Sequence, residues 1–372
     1  YFSVIHLKSD GGIMVTASHN PAPYNGFKFT RQNALPIGLE SGLDEIEKLV
    51  KKNKFASPNQ KGSVEEKSLL DDFVLFMHSF VDIKKLKPMT VVIDTGNGLG
   101  GYILPKLFEG SPLKIIPLFW EVDGTFPNHE ANPLLEENRR DLIQKVKETK
   151  ADLGVGLDGD TDRAFFVDGT GEFIGGDFIL GLLAKPILKK HPKAIITYDV
   201  RCSNYVNDVV TRLGGSTRMW KVGHAPMKNF MKEIGAEFGG EVSGHYYFRY
   251  KDSYFDSGNL TTLVLLKELS DSNQSLAQAL QETKKYYVSG EINTKNIKNP
   301  DGVIAKLKIQ YGPKGKMIEI DGLNVVTKHW WFNVRKSNTE PLLRLNCEGE
   351  TLKEMETIRD EILKIIRSHV AS

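Results

Sequence analysis

Short apolar runs and amphipathic stretches alternate along most of the chain. IMVT at 13–16 has the β-rich character of a strand, and VVID at 91–94, LKIIPLF at 113–119, ADLGVGL at 151–157, AFFV at 164–167 and AIITY at 194–198 repeat it. Between them lie helical patterns. ENRRDLIQKVKET at 137–149 puts Leu142, Ile143 and Val146 on one face, and DFILGLLAKPILKK at 177–190 is a longer apolar stretch. Strands alternating with helices of this length predict βαβ units and an α/β fold with mostly parallel sheets. Such sheets carry their ligands on the loops at the carboxyl ends of the strands.

The last part of the chain has a different rhythm. MIEIDGLNVVTKHWWFNVR at 317–335 predicts a strand, an Asp-Gly turn, a second strand and then a loop. LLRLNCE at 342–348 is a further strand, and TLKEMETIRDEILKIIRSH at 351–369 is an amphipathic helix. This is an α+β pattern, so a separate small domain is expected from about residue 285. LQETKKYYVSGEINTKN, polar and turn-rich, is the expected joint.

Composition narrows the functional classes. The 372 residues are enough for several domains. Lys and Arg number 49 against 47 Asp and Glu, a net charge of +2 that argues against a dedicated nucleic-acid binder. Two cysteines, Cys202 and Cys347, do not make a disulfide framework, which points to a reducing cytoplasm. No apolar run is long enough to span a membrane. The start, YFSVIHLKSDGG, lacks both a secretion signal and an initiator Met, so a processed or truncated N-terminus is expected.

The sharpest local chemistry is LGVGLDGDTDRAFFVD at 153–168. Asp158, Asp160 and Asp162 alternate in a Gly-containing loop between two apolar runs. Carboxylates this close repel unless a cation sits among them. All-oxygen ligands suit a hard cation, and three protein carboxylates leave room for a further oxygen, as Mg²⁺ prefers. An EF-hand is excluded: Arg163 stands where its Gly is needed and Gly169 where its Glu is needed. Arg163 beside the acids suits a phosphate that also touches the metal.

Three other polar loops stand out. TASHNPAPYNGFKF at 16–29 packs turn chemistry, Ser18, His19 and Lys28 directly after GIMV. RKSNTEP at 335–341 offers the Arg335 fork and the donors of Ser337, Asn338 and Thr339, a cup suited to phosphate. FGGEVSGHYYF at 238–248 has Glu241, Ser243 and His245 on alternate positions; in an extended segment these share a face and can grip a polyol. His224 in KVGHAP and Arg201 in DVRCSN sit in similar loops. DTGNGLGG at 94–101 fits GxGxxG through Gly96, Gly98 and Gly101, with Glu121 about 20 residues on, which keeps an NAD(P)-dependent oxidoreductase as an alternative. A tight strand-to-helix turn explains the same glycines.

Together and in this order, TASHNP (16–21), DGDTDR (158–163), GEVSGH (240–245) and RKSNTEP (335–341) resemble the α-D-phosphohexomutases, and within them the phosphomannomutase/phosphoglucomutase branch. The resemblance spans essentially the whole chain. It implies several related mixed α/β sheet domains and a C-terminal α+β (TBP-like) domain around one central cleft. The domains expected are 1–66 with the phosphoserine loop, 67–173 with the metal loop, 174–284 with the sugar-binding loop and 285–372 with the phosphate-binding loop.

The resemblance also implies roles. Ser18 carries the phosphoryl group, and Ser18, Asp158, Asp160 and Asp162 hold Mg²⁺. Arg163 offsets charge on the transferring group. His19 lies beside the serine, and Lys28 and His245 are candidates for proton transfer. Arg201 and His224 line the site, although relatives more often have lysine at the first. Glu241 and Ser243 grip hydroxyls, and Arg335, Ser337, Asn338 and Thr339 hold the non-transferring phosphate. The implied reaction interconverts hexose 1- and 6-phosphates, with a hexose 1,6-bisphosphate activator. The partner is a phosphorylated sugar, with no nucleic acid and no membrane. The dehydrogenase alternative accounts for none of the other three loops. A catalytically dead relative acting as a binding protein is disfavoured because the serine and all three acids are present. Only a short segment precedes Ser18, so most of the family's first domain is expected to be missing and a sheet edge exposed.

Overall fold

The acid loop hangs from a five-stranded sheet in the order Lys114–Leu118, Thr90–Asp94, Leu153–Leu157, Ala164–Asp168, Phe173–Ile174. The computed structural model describes residues 1–53, 55, 61–337 and 342–370. They fall into two units. The first comprises Tyr1–Gly175, His224–Phe238 and Ser243–Ala277; the second comprises Gly176–Gly223, Gly239–Val242 and Gln278–Ser372.

In the first unit, Thr90–Asp94 runs parallel to both neighbours. Leu153–Leu157 and Ala164–Asp168 pair antiparallel, with Leu157 opposite Ala164. The expectation of mostly parallel sheets therefore fails in the half that bears the acids. The reason is length: residues 158–163 make a hairpin loop, whereas a parallel neighbour needs a crossover of about a dozen residues or more. Both strands of this hairpin are buried throughout. The helix Arg140–Thr149 covers the sheet, with Leu142 and Val146 packed on Val92, Ala151 and Val167.

The glycine turn at 94–101 joins Thr90–Asp94 to the helix Gly100–Leu107. A Cβ at Gly101 would lie 1.7 Å from the Trp120 carbonyl oxygen, and one at Gly98 would lie 2.7 Å from that of Gly159. The Leu99 N–H donates to the Gly159 oxygen at 2.9 Å. The chain's own backbone fills the space a pyrophosphate would need, so these glycines brace the acid loop. Behind them, His129 Nε2 lies 3.1 Å from Asp94 Oδ2, and its Nδ1 lies 2.8 Å from the Glu130 carbonyl oxygen. Both ring nitrogens face acceptors, which favours imidazolium.

Two antiparallel hairpins also lie in this unit. One pairs Gly11–Val15 with Phe27–Arg31, Met14 opposite Lys28. It leaves Ile13, Val15 and Phe27 exposed at 65%, 65% and 62%. The other pairs Tyr246–Tyr250 with Ser253–Asp256. Its Tyr250 and Phe255 meet Phe76 and Phe80 of the helix Leu70–Phe80 in an aromatic cluster.

The second unit contains a βαβ element. Ile195–Asp199 and Ser216–Trp220 are parallel, with the helix Asn204–Arg212 between them in sequence. The helix Gly176–Lys190 is as expected and tolerates Pro186. The C-terminal sheet is antiparallel, in the order Tyr287–Val288, Leu342–Gly349, Trp330–Lys336, Leu323–Val326, Lys316–Ile318, with Ile292–Lys295 also paired to Leu342–Gly349. Helices Pro300–Tyr311 and Leu352–Arg367 pack Leu307, Ile358 and Ile362 on Phe332, Val334 and Cys347. The latter helix opens on a reciprocal Thr351–Glu354 capping box.

Two expectations are corrected in this sheet. The supposed loop after the second strand is the strand Trp330–Lys336. The supposed joint contains Tyr287–Val288 and Ile292–Lys295. These short polar strands are held by backbone pairing to Leu342–Gly349, which leaves no apolar alternation to read. Among the described residues, no helix is long and apolar enough to cross a membrane.

Burial opposes a charge on His129, but the Asp94 carboxylate outweighs it and raises the imidazole pKa above its ordinary value of 6.5. A raised folded pKa stabilises the fold below the unfolded value, and that stability is lost as pH rises through the folded pKa. His129→Gln is therefore expected to lower the melting temperature most near pH 6 and least near pH 9. A deficit that is flat across this range, followed by thermal unfolding, would show that the ring is not held as a cation.

Candidate active site

In the first unit the hairpin loop brings three carboxylates together in the interior. Asp158, Asp160 and Asp162 are all buried, and ligand oxygens from the three lie within 4.8 Å of one another. Burial raises the Asp158 pKa well above the usual carboxylate range, and the neighbouring charges of Asp162 and Asp160 add to this. Burial acts the same way on Asp162, but His245 and Lys28 outweigh it and hold that carboxyl low. Lys28 Nζ donates to Asp160 Oδ2 at 2.7 Å and to Asp162 Oδ2 at 2.6 Å. Burial works against the ammonium; the two aspartates prevail and raise its pKa.

The Gly11–Val15/Phe27–Arg31 hairpin delivers both Lys28 and the serine loop to these acids. Thr16 donates its hydroxyl to Asp160 Oδ2 at 2.8 Å and accepts the Ser18 N–H at 2.8 Å. Ser18 Oγ then lies 3.3 Å from Asp158 Oδ2 and 3.5 Å from Asp160 Oδ1. A Cβ at residue 159 would lie 2.4 Å from the Ser18 carbonyl oxygen, so the approach of the two loops needs Gly159. Ser18 itself has φ +55°, a left-handed conformation uncommon for serine. His19 Nδ1 is 3.3 Å from Ser18 Oγ. Burial, then the Arg163 charge, lowers its pKa to about 3, so the ring is neutral.

The donor set fits a metal. Three carboxylates and a serine hydroxyl are hard oxygen ligands of the kind Mg²⁺ takes. Asp162 Oδ1 is buried with no hydrogen-bond partner among the described residues, as a ligand oxygen aimed at a cation would be.

Behind the acids lies a second charged layer. Arg163 Nε donates to His245 Nε2 at 2.9 Å and lies 3.6 Å from Asp158 Oδ2. His245 Nδ1 lies 3.0 Å from Asp256 Oδ2, and Asp256 Oδ1 accepts from Lys228 Nζ at 2.8 Å. Lys228 is fully buried and also sits 3.7 Å over the Tyr1 ring. Burial raises the carboxyl pKa of Asp256, but Lys228 and His245 overcome it and hold the group ionised. His224, one helical turn before Lys228, has its ring centroid 6.0 Å from that of His245. Burial lowers its pKa to about 3.

The second unit holds a cluster of arginines. Asp199, at the carboxyl end of its strand, clasps the Arg201 guanidinium through Nε at 3.0 Å and Nη2 at 2.7 Å. Glu241 Oε2 lies 3.5 Å from Arg201 Nη2, while its Oε1 accepts the Gly223 N–H at 2.9 Å. Glu291 Oε2 accepts from Arg335 Nη2 at 3.0 Å and from Arg201 Nη1 at 3.4 Å, and its Oε1 accepts from Arg344 Nη1. Ser337 follows the strand that carries Arg335, and its N–H donates to the Leu342 oxygen. Asn338 and Thr339 lie outside the described residues.

The structure thus assembles Ser18, His19, Lys28, the three aspartates, Arg163, His224 and His245 in one unit, and Arg201, Glu241 and Arg335 in the other. The extended reading of 241–245 is corrected: Val242 and Ser243 form a turn and Gly244 has φ +84°, so Glu241, Ser243 and His245 do not share a strand face. Lys228, Asp256, Asp199, Glu291 and Arg344 were missed. Asp199 sits within the quoted DVRCSN, and a strand-end acid two residues before an arginine could have flagged it. The others carry no local motif.

Comparison with known proteins follows the same loops. Models of the phosphoglucomutase/phosphomannomutase family match residues 1–57 (alpha/beta/alpha domain I), 71–171 (domain II), 175–286 (domain III) and 271–365 (C-terminal domain). The chain is 41% identical to a phosphomannomutase of Vibrio cholerae over 99% of its own length and 81% of that protein. It is 38% identical to a phosphomannomutase/phosphoglucomutase of Pseudomonas aeruginosa over 96% of its length and 77% of that protein. A crystal structure of a family member from Burkholderia thailandensis superposes with a TM-score of 0.86 at 33% identity, covering 97% of this chain and 76% of that one.

Fold and site define a phosphohexomutase, an isomerase of carbohydrate metabolism. The chain belongs to the phosphoglucomutase/phosphomannomutase family. The match over 1–57 shows that the first domain is represented by more than its serine loop, correcting the expectation that most of it is missing. The dehydrogenase alternative is unsupported: its glycines are consumed by packing, and the relatives above are mutases.

The buried Lys228–Asp256 pair gives a stability prediction. Removing one partner of a buried pair costs about 3–5 kcal/mol, because the other charge is stranded. Lys228→Met is expected to fall in that range by urea unfolding. The Lys228→Met/Asp256→Leu double variant should recover much of the loss. Additive losses would mean the two charges are not coupled.

Proposed function

We propose that this chain reversibly moves a phosphoryl group between the C1 and C6 oxygens of a mannose or glucose phosphate through a phosphoserine at Ser18 and a bisphosphorylated intermediate. The observation that carries the reading is the Ser18 hydroxyl placed 3.3 Å from Asp158 and 3.5 Å from Asp160 inside a buried triad of acids. Three carboxylates gathered around a serine oxygen form the hard-oxygen set that a divalent cation would join.

In the forward step the bond between phosphorus and the Ser18 oxygen breaks as a bond forms to the free sugar hydroxyl, whose proton passes to His245 or to Lys28 once its carboxylate partners release it. In the second step the other phosphate of the bisphosphate returns to Ser18 and leaves the isomeric monophosphate. A hexose 1,6-bisphosphate primes or restores the phosphoserine. Mg²⁺ on Asp158, Asp160, Asp162 and a phosphoserine oxygen would supply charge neutralisation of the transferring group.

The chain's own residues do the rest. Arg163, oriented by His245 Nε2, offers a second cation to that group. His19, neutral beside Ser18 Oγ, accepts or donates one hydrogen bond there. Lys28 and His245 are assigned to proton transfer. Lys28 can act as a base only after losing its two carboxylate partners, because they hold it as a cation. Arg335, with Ser337, Asn338 and Thr339, holds the non-transferring phosphate; Arg201, His224, Glu241 and Ser243 contact the sugar. The four domains follow 1–66, 67–173, 174–284 and 285–372. Two buried free cysteines fit a reducing cytoplasm.

A coupled assay on mannose, glucose and glucosamine 1-phosphates, with Mg²⁺ and a trace of hexose 1,6-bisphosphate, tests the reading. Turnover is expected on the first two and to vanish with EDTA. Ser18→Ala should lower kcat by about three orders of magnitude or more. Undiminished turnover in Ser18→Ala would remove the phosphoserine route.

A further inference from the structure

We propose that Glu291 is the resident counter-anion of the arginine cluster and is exchanged for the substrate's phosphate, with Arg344 a third arm of that phosphate site. The inference rests on the assignment of Arg335 to the non-transferring phosphate and names what fills the same guanidiniums beforehand.

Three guanidiniums converge on one carboxylate. Arg335 and Arg201 both reach Glu291 Oε2, at 3.0 and 3.4 Å, and Arg344 reaches Oε1. Arg201 is anchored from its other edge by Asp199, so it stays in place. Among the described residues Arg335 and Arg344 have no such second anchor, and the Nε of each is buried without a hydrogen-bond partner there. Arg335 is only 6% exposed. Burial, then the like charge of Arg201, works against its guanidinium, and Glu291 is among the charges that offset this.

Arg201 is balanced by Asp199 and Glu241, so Arg335 and Arg344 bring two charges and more donors to Glu291 than its one carboxylate can use. A phosphate dianion carries an additional charge and further acceptor oxygens in the geometry that guanidinium forks match.

Glu291 is also placed to leave. It lies between the strands Tyr287–Val288 and Ile292–Lys295, directly after Gly290 at φ +66°, and nothing lies within 4 Å of where a Gly290 Cβ would be. In the empty protein the carboxylate keeps the arginines from repelling one another. When phosphate arrives the two anions compete, so the site is poised to release product as well as to bind substrate.

The test is thermal unfolding of the full chain in phosphate-free buffer and with added inorganic phosphate. Glu291→Gln is expected to melt lower than wild type without phosphate, because its guanidiniums are stranded. It should gain at least about twice the wild-type shift when phosphate is added. Arg335→Met should abolish most of the gain in both backgrounds, and Arg344→Met should reduce it. If Glu291→Gln gains no more than wild type while Arg335→Met still removes the gain, the exchange is overturned and the phosphate assignment stands. If Arg335→Met leaves the gain untouched, both fall. Should Glu291→Gln fail to fold, competition by phosphate against substrate in Glu291→Asp, read as its inhibition constant against that of wild type, decides the matter; a shorter carboxylate must yield tighter inhibition.

Discussion

The structure of the first unit depends on burying like charge. Asp158, Asp160 and Asp162 are packed into one hairpin loop, out of water, where each raises the cost of ionising the next. A fold accepts this only where opposite charge is supplied. Lys28 reaches in from one side and Arg163 from within the loop itself. The antiparallel turn, the glycine brace behind it and the hairpin that brings in Ser18 all follow from the need to hold these acids at fixed distances. A loose acidic loop would relax outward and lose its hold on the serine loop.

The second unit meets the mirror-image constraint. Its buried guanidiniums of Arg201 and Arg335 need anions, and Asp199, Glu241 and Glu291 supply them. In each unit, protein charges occupy the places where the proposed chemistry needs foreign ones: an ammonium among metal ligands, a carboxylate among phosphate-binding arginines. A pre-paired site of this kind is stable when empty and pays for ligand only the difference between two ion pairs, which moderates affinity.

How much of this the sequence disclosed depends on whether a feature is local. The strands VVID, ADLGVGL and AFFV, the helix over 137–149 and the terminal helix with Thr351 and Glu354 are written in periodicity and capping. The acids at alternate positions, the serine loop and Arg335 at the head of RKSNTEP were equally plain. What escaped detection is pairwise and distant in sequence. Lys228 meets Asp256 across 28 positions, and Arg335 meets Glu291 across 44. Nothing in either partner's neighbourhood marks it. The direction of the acid hairpin was misjudged because two apolar runs look the same whether parallel or antiparallel; only the short connector between them decides. The sheet strands around Glu291 were taken for a joint because their pairing lies in the backbone.

The left-handed backbone at Ser18 has a bearing on which residues could ever replace it. Threonine carries the same hydroxyl, and its branched Cβ adds strain at φ +55°, a cost that Thr161 bears at φ +61° in the acid loop. Asparagine and glycine suit the dihedral but bring no alcohol. The conformation and the chemistry therefore select different sets of amino acids, and serine is where the sets overlap. The choice at this position is narrowed from two directions at once, by main-chain geometry as well as by the oxygen.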